Sequence, residues 1–229
     1  MRARGIPDIE SYASLLDDDP SEYDRLLRVL TINVSKFFRN PETWQVIREQ
    51  VVPELLQQGG PVVMWSAGAA AGEEAYSLAI LAWDWLVSTG QGGWGGIRIV
   101  GTDIDDRVLE LARAAEYPEA ALDDTPEDLR YRWFTKDEMY RLKEPIPRLV
   151  EFRQRDILSG RPDFEANLIL CRNLLIYLDR DAQLRVFRTF VDTLQPGGYM
   201  VLGRVEMLAP ELRQHFEVLS ARERIYRRR

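Results

Sequence analysis

The chain has 229 residues, of which 45% are hydrophobic and 29% charged, with a formal net charge of −7, one cysteine and one histidine. The acidic balance argues against general binding to nucleic acid, which needs a basic surface, and no apolar run approaches the roughly 20 residues that span a bilayer. A single cysteine and a single histidine exclude a disulfide within the chain and Cys- or His-rich metal sites, so we expect no metal.

Helical signals dominate residues 1–58. Asp19-Pro20-Ser21-Glu22 is typical of a helix start, with Asp19 as the N-cap and Pro20 at the first position. Asn40-Pro41-Glu42 repeats the signal, and Gly59-Gly60-Pro61 ends the region. We therefore predict an N-terminal helical region over residues 1–58.

From residue 62 the pattern changes to short apolar strands that alternate with helices. This alternation predicts an α/β fold over residues 59–229, with a mostly parallel sheet and helices on both faces. The expected strands are 62–65, 97–100, 149–152, 167–170 and 199–202, with a closing antiparallel pair at 216–219 and 224–226.

Polar residues follow the strand predicted at 167–170. Cys171-Arg172-Asn173 ends this apolar run, and Tyr177 lies in the next one. Open α/β sheets bind ligands beyond the carboxyl ends of their strands, so this position suits a small-molecule site. The alternative is that Arg172 makes a structural ion pair.

A loop of small residues, Gly68 to Gly72, joins the first strand to a helix that begins with Glu73 and Glu74. Small residues let a ligand approach the backbone closely, but the two glutamates would repel a phosphate. An acidic helix start suits a cationic ligand such as S-adenosylmethionine, which carries an ammonium and a sulfonium. The alternative is a turn that serves packing alone.

Two further acidic residues follow strands. Asp103 ends the second strand, where a carboxylate can accept hydrogen bonds from both hydroxyls of a ribose. We favour this function for Asp103, with Asp105 or Asp106 capping the next helix. Asp156-Ile157 fits an adenine edge with an apolar wall, or a simple turn.

One more candidate lies before the sheet. Residues 31–40 read Thr-Ile-Asn-Val-Ser-Lys-Phe-Phe-Arg-Asn, with two aromatic residues beside a polar cluster. The aromatic pair is also compatible with ordinary packing, and Arg39 with a solvated position.

Together the segments resemble the chemotaxis receptor methyltransferase family, CheR. The resemblance runs from about residue 20 to the C-terminus and rests on five segments in the family's order: 31–39, 72–77, 101–105, 171–177 and 194–203. It implies a Rossmann-like class I methyltransferase sheet, a short N-terminal helical region and a reduced β-subdomain at about residues 131–152.

The resemblance also implies an activity, the methylation of glutamate side chains on a protein acceptor, with S-adenosylmethionine as cofactor and S-adenosylhomocysteine as product. A glutamate carboxylate is ionised near neutral pH, which agrees with a site that offers no catalytic histidine. The residues it places at methyl transfer are Arg39, Arg172 and Tyr177. The residues it places at the cofactor are Asn33, Ser35, Arg39, Gly68, Glu74, Asp103, Asp156, Ile157, Cys171 and Arg172.

The chain departs from the family in its acidic Asp17-Asp18-Asp19 and in Gly203-Arg204-Val205-Glu206, where the family commonly has Gly-His-Ser-Glu. Two alternatives stay open: a regulatory module that holds the cofactor without transferring methyl, and a methyltransferase with a non-receptor acceptor. The loop at 68–72 lacks Gly-x-Gly-x-x-Gly, which disfavours a nicotinamide-dependent dehydrogenase. We expect a cytoplasmic protein with no nucleic-acid partner and no membrane insertion; the sequence leaves its oligomeric state open.

Overall fold

A computed structural model describes residues 6, 8–19, 22, 35–90 and 96–229. The chain forms two compact units, Met1–Val34 and Ser35–Arg229.

In the first unit, helix α1 spans Ile9–Asp18. Its N-cap is Asp8, whose carboxylate accepts a hydrogen bond from the Ser11 backbone at 2.7 Å, and Asp19 is its C-cap. The helix predicted to start at Pro20 lies outside the described residues, as does Asn33.

The second unit contains the sheets. Its helices are α2 Pro41–Val46, α3 Val52–Gln57, α4 Glu73–Ser88, α5 Asp106–Ala114, α6 Glu127–Trp133 and α7 Arg180–Thr193. A π-helical turn, Ile47–Val51, joins α2 to α3. The strands are β1 Val62–Ala67, β2 Ile97–Asp103, β3 Glu116–Tyr117, β4 Phe134–Lys136, β5 Tyr140–Leu142, β6 Val150–Gln154, β7 Ala166–Cys171, β8 Leu194–Leu202, β9 Phe216–Ser220 and β10 Ile225–Arg228.

The main sheet has seven strands in the order β6-β2-β1-β7-β8-β10-β9. The first five strands of this order run parallel, and β10 is antiparallel to both β8 and β9. The strand order reverses direction between β1 and β7, where an open α/β sheet forms its ligand crevice. The predicted α/β fold and its closing antiparallel pair are confirmed.

Helices cover both faces of the sheet, which explains the continuous apolar runs of its central strands. On one face, Met64 packs in a core that includes α4 residues such as Leu78. On the other face, Trp65 packs with α7 residues, and its ring meets Phe190 edge-to-face at 5.5 Å. Within the described ranges, no helix combines the length and apolar character needed to cross a membrane.

Residues 35–58 pack with the sheet. Ile47, Val51 and Leu55 are buried in the same core as α4. The boundary between the units therefore lies before Ser35, and not after residue 58 as the glycine-proline signal predicted.

A second, three-stranded antiparallel sheet has the order β3-β5-β4. It begins at Glu116, earlier than the subdomain predicted at 131–152, because Glu116 and Tyr117 pair with β5. It ends at Leu142, and Val150–Gln154 joins the main sheet as β6. The rings of Phe37 and Phe134 meet at 5.1 Å, so the small sheet packs on the segment before α2.

Gly72 gives a test of the turn that starts α4. Its φ is +92°, and an added Cβ would lie 2.8 Å from the Phe152 ring and 2.9 Å from the Ala112 Cβ. We expect Gly72→Ala to lower the free energy of unfolding by about 2–4 kcal/mol, from left-handed strain and overpacking. Urea denaturation measures this. The control is Gly160→Ala, where φ is +86° but nothing lies within 4 Å; equal losses in the two variants would contradict the packing argument.

Candidate active site

The loop after β1 follows the edge of β2. The backbone N–H groups of Gly68 and Ala69 both donate to the Thr102 carbonyl, at 2.8 and 2.9 Å. Gly68 has a φ of +83°, and a Cβ there would lie 3.0 Å from the Leu174 side chain. The turn therefore favours glycine, because Leu174 from the loop after β7 packs closely against it.

Asp103 fixes this loop to the end of β2. One of its carboxylate oxygens accepts from the Ala70 N–H at 2.9 Å, and the other accepts from the Asp105 N–H at 3.1 Å. Burial raises the pKa of Asp103, and these N–H donors oppose the shift. Asp105 caps α5 by accepting from the Arg107 backbone at 3.1 Å, as predicted.

Glu74 begins the ion-pair network of the site. Its Oε1 accepts from the Ser66 hydroxyl at 2.8 Å, and its Oε2 lies 3.4 Å from a guanidinium nitrogen of Arg172. Both side chains are buried. Burial raises the pKa of Glu74, while Arg172 and Ser66 oppose the shift. The structural ion pair considered for Arg172 is therefore present.

Arg172 also holds the chain segment before α2. Its Nη2 donates to the Arg39 carbonyl and to the Asn40 side-chain oxygen, both at 2.7 Å. The guanidinium lies 5.8 Å from the centre of the Trp44 ring. Burial lowers the pKa of Arg172, against the opposing effect of Glu74. Both Nη atoms of the guanidinium therefore have partners, whereas its buried Nε has none among the described residues. The contact of Arg172 with an acceptor carboxylate stays a prediction.

Both phenylalanines of the Phe-Phe-Arg segment hold it in place by packing against other aromatic rings. Phe37 packs edge-to-face on Tyr117 at 4.7 Å, and Phe38 packs on Trp44 at 5.4 Å. The Phe38 N–H donates to the Ser77 hydroxyl oxygen at 3.1 Å, which ties the segment to α4. Arg39 follows, half-buried, in the turn that leads to α2.

Glu73 is a buried acid with one free oxygen. It hydrogen-bonds with Ser35, and burial is the main cause that raises its pKa to about 7. Its Oε2 has no hydrogen-bond partner among the described residues. A buried carboxylate oxygen without a donor suits a cationic group brought by a ligand.

Glu206 connects two loops at the same edge of the sheet. Its buried carboxylate accepts three backbone N–H bonds, from Asn173 at 3.1 Å, Leu175 at 2.8 Å and Gly203 at 2.6 Å. Glu206 is not among the site residues predicted from the sequence. The signal available was an acid soon after a strand end, within the segment that departs from the family.

Four predicted site residues differ in their exposure. Tyr177 is 57% exposed and lies in the turn that follows Arg172. Asp156 is exposed and accepts from the Leu158 N–H at 2.8 Å, a turn function that the sequence analysis left open. Ile157 is half-buried beside the core under α7. The prediction that Cys171 lines the cofactor site is wrong for its thiol: the residue is fully buried in that core, because alternation along β7 turns its side chain inward.

The seven-stranded sheet, its switch point and the acidic groups gathered there define the fold of a class I S-adenosylmethionine-dependent methyltransferase. The family model "CheR methyltransferase, SAM binding domain" matches residues 33–225. The chain belongs to the CheR family and contains its S-adenosylmethionine-binding domain.

Known proteins of similar sequence agree with this assignment. A probable chemotaxis protein methyltransferase of Rhizobium etli is 29% identical over 95% of this chain and 84% of its own. A chemotaxis protein methyltransferase of Listeria innocua is 32% identical over 84% of this chain and 72% of its own. An uncharacterized 104.1 kDa protein of Rhodobacter capsulatus is 36% identical over 99% of this chain, and the match spans 24% of that longer protein.

A solved structure with a similar fold is the N-methyltransferase NodS of Bradyrhizobium japonicum, in complex with S-adenosylhomocysteine. It has 18% identity and a TM-score of 0.47, and the match covers 84% of this chain and 88% of that one.

The pKa of Glu73 predicts a pH dependence of stability. Its folded-state value of about 7 exceeds the ordinary 4.5, so the folded state keeps a proton that the unfolded state releases. The free energy of unfolding should therefore fall as pH rises from about 4.5 to 7, by about 3 kcal/mol from this group alone.

Glu73→Gln should remove this decline, so that the variant gains stability relative to the parent protein between pH 4 and pH 8. Denaturation of the cofactor-free protein at several pH values measures the difference. Glu110→Gln, an exposed position on α5, is the matched control. Parallel pH profiles for Glu73→Gln and the parent protein would show that the buried carboxylate is not the cause.

Proposed function

We propose that the protein transfers the methyl group of S-adenosylmethionine to a glutamate side chain of a protein acceptor, a chemoreceptor or a related signalling protein, in the cytoplasm. The observation that carries this proposal is the hydrogen bond from the buried Arg172 to the Arg39 carbonyl. This bond holds Arg39 beside the crevice of the sheet. The names of the Rhizobium and Listeria relatives support a chemotaxis function.

The residues at the crevice fit the cofactor. Gly68 keeps this turn free of a side chain, whose Cβ would lie 3.0 Å from the Leu174 side chain, and the free oxygen of Glu73 is a partner for an ammonium group. We assign Asp103 to the ribose hydroxyls, Gly68, Ser35 and Glu74 to the methionine end, and Asp156 with Ile157 to the adenine side. Cys171 has no place in this set through its side chain.

S-adenosylmethionine supplies an electrophilic methyl group on a sulfonium. The acceptor carboxylate is already ionised at neutral pH and needs no general base. The protein therefore has to orient this carboxylate and exclude water. We assign the orienting contacts to Arg39, whose charged donors suit a carboxylate, and to the Tyr177 hydroxyl. In this assignment Arg172 positions Arg39 through the hydrogen bond to the Arg39 carbonyl.

Two variants separate binding from transfer. Arg39→Ala should lower kcat about 100-fold, as loss of a charge-stabilising donor does, while the Kd of the cofactor changes little. Asp103→Ala should weaken cofactor binding by about 1–3 kcal/mol through the lost hydrogen bonds. Calorimetry and a methyl-transfer assay measure the two effects, and thermal melts control for folding. Equal effects of both variants on both quantities would contradict the assignment.

The product identifies the acceptor atom. A methyl ester of a glutamate releases its methyl group as methanol in mild alkali, whereas an N-methyl group survives. Alkali-stable label would overturn the glutamate acceptor and leave the cofactor site intact. Cofactor binding without transfer to any protein would favour the regulatory module instead.

A further inference from the structure

A buried carboxylate joins α2 to two distant parts of the chain. Glu223 lies in the turn between β9 and β10 and is 4% exposed. Its Oε2 accepts a hydrogen bond from the Thr43 hydroxyl of α2 at 2.7 Å, and two more from Nε and Nη2 of Arg204 at 3.2 and 3.1 Å. Because a buried carboxylate is costly unless it is paired, these contacts hold α2, the loop after β8 and the β9–β10 turn together.

Arg204 makes a second contact with the first turn of α2. Its Nη2 also donates to the Glu42 carboxylate at 2.7 Å. A nitrogen of the exposed Arg222 lies 3.5 Å from the other oxygen of Glu223. Two arginines thus face two carboxylates in this part of the described structure, so the cluster needs no ligand to balance its charge.

The segment that leads from Arg39 into α2 has a strained backbone. Phe38 and Asn40, on either side of Arg39, have φ of +54° and +64°, a left-handed conformation that bulky residues rarely adopt. Such a conformation persists where the surrounding structure holds it firmly. On the sheet side the guanidinium of Arg172 supplies the contacts, and at the α2 end the Thr43 hydroxyl supplies one.

We propose that Glu223 is a positioning residue for methyl transfer, which fixes the first turn of α2 through Thr43 and thereby holds Arg39 at the crevice. Asn40 alone separates Arg39 from the start of α2, so a shift of this six-residue helix moves Arg39 with it. Glu223 itself contacts neither cofactor nor acceptor in this account. The inference rests on the proposed function, since it names the residues that position the proposed catalytic Arg39.

The main test compares two substitutions of Thr43. Thr43→Val keeps the size of the side chain and removes its hydroxyl, whereas Thr43→Ser keeps the hydroxyl and removes a buried methyl group. The initial rate is measured with tritiated S-adenosylmethionine and the total protein of the source cell as acceptor. Thr43→Val should lower the rate at saturating cofactor at least tenfold while the KM for S-adenosylmethionine stays within twofold, and Thr43→Ser should stay within threefold of the parent rate.

A function in packing alone would give the opposite order, because removal of a buried methyl group leaves a cavity. The matched control is Thr193→Val: Thr193 is also 1% exposed, but its hydroxyl has no hydrogen-bond partner among the described residues. This control should leave both rate and KM within twofold. A lower rate in Thr43→Ser than in Thr43→Val, or an equal loss in Thr193→Val, would overturn the proposal.

Glu223→Gln tests the carboxylate itself. The neutral amide keeps the shape of the side chain but loses the charge that pairs with Arg204, so the rate should fall at least tenfold with the KM for S-adenosylmethionine unchanged. Addition of Thr43→Val should then lower the rate by less than a further twofold, because both changes break the same connection. Losses that multiply in the double variant would contradict the proposal.

Hydrogen exchange separates this proposal from the proposed function. The Trp44 indole N–H donates to the Arg39 carbonyl at 3.1 Å and so reports on the position of Arg39. It should exchange at least tenfold faster in Thr43→Val than in the parent chain, and at the parent rate in Thr43→Ser and Thr193→Val. Faster exchange in Thr43→Val, with no methyl transfer by the parent chain, would support the positioning and count against the proposed function alone. Unchanged exchange in Thr43→Val would overturn the positioning.

Discussion

The buried guanidinium of Arg172 is the constraint on which the candidate active site depends. A charge removed from water needs partners that replace its hydration. Arg172 finds them in Glu74 and in the carbonyl of Arg39 and the side chain of Asn40. These partners come from the start of α4 and from the segment before α2, so the guanidinium joins three separate parts of the chain at the switch point of the sheet.

Carboxylates that accept hydrogen bonds from backbone N–H groups fix the other loops of the candidate active site. Asp103 fixes the loop after β1 through Ala70, and Glu206 fixes the loops after β7 and β8 through three N–H groups. Each of these two carboxylates pairs with backbone N–H groups of the loops that would otherwise have no acceptor. The edge of the sheet is therefore ordered by hydrogen-bonded carboxylates, while Tyr177 stays exposed.

Much of the fold could be predicted because short apolar runs alternate with helical periodicity, and the strand-end rule selected Gly68, Glu74, Asp103 and Arg172 as candidates for the site. The direction in which each side chain points was harder to predict. Cys171 and Arg172 are adjacent, yet alternation along β7 sends the thiol into the core under α7 and the guanidinium toward α4. Glu206 was missed because its three partners are backbone groups, two of them about thirty residues earlier in the chain, which leave no side-chain pattern in the sequence.

The unit boundary and the small sheet were misplaced for a related reason. Glycine and proline at 59–61 mark the end of a helix, but the apolar face of the preceding helices packs on α4 and belongs to the same core. Local signals locate turns, whereas the division into units depends on contacts between distant segments.

Hydrogen exchange across residues 36–44 tests most directly the claim that Arg172 acts by fastening Arg39. Lysine cannot reproduce the paired contacts of a guanidinium, so Arg172→Lys should lose protection at Phe38 and Thr43 at least tenfold, while β1 stays protected. Arg180→Lys, at an exposed position, is the control. Unchanged protection of this segment in an Arg172→Lys variant that has lost methyl transfer would contradict the positioning function and place Arg172 directly on the acceptor.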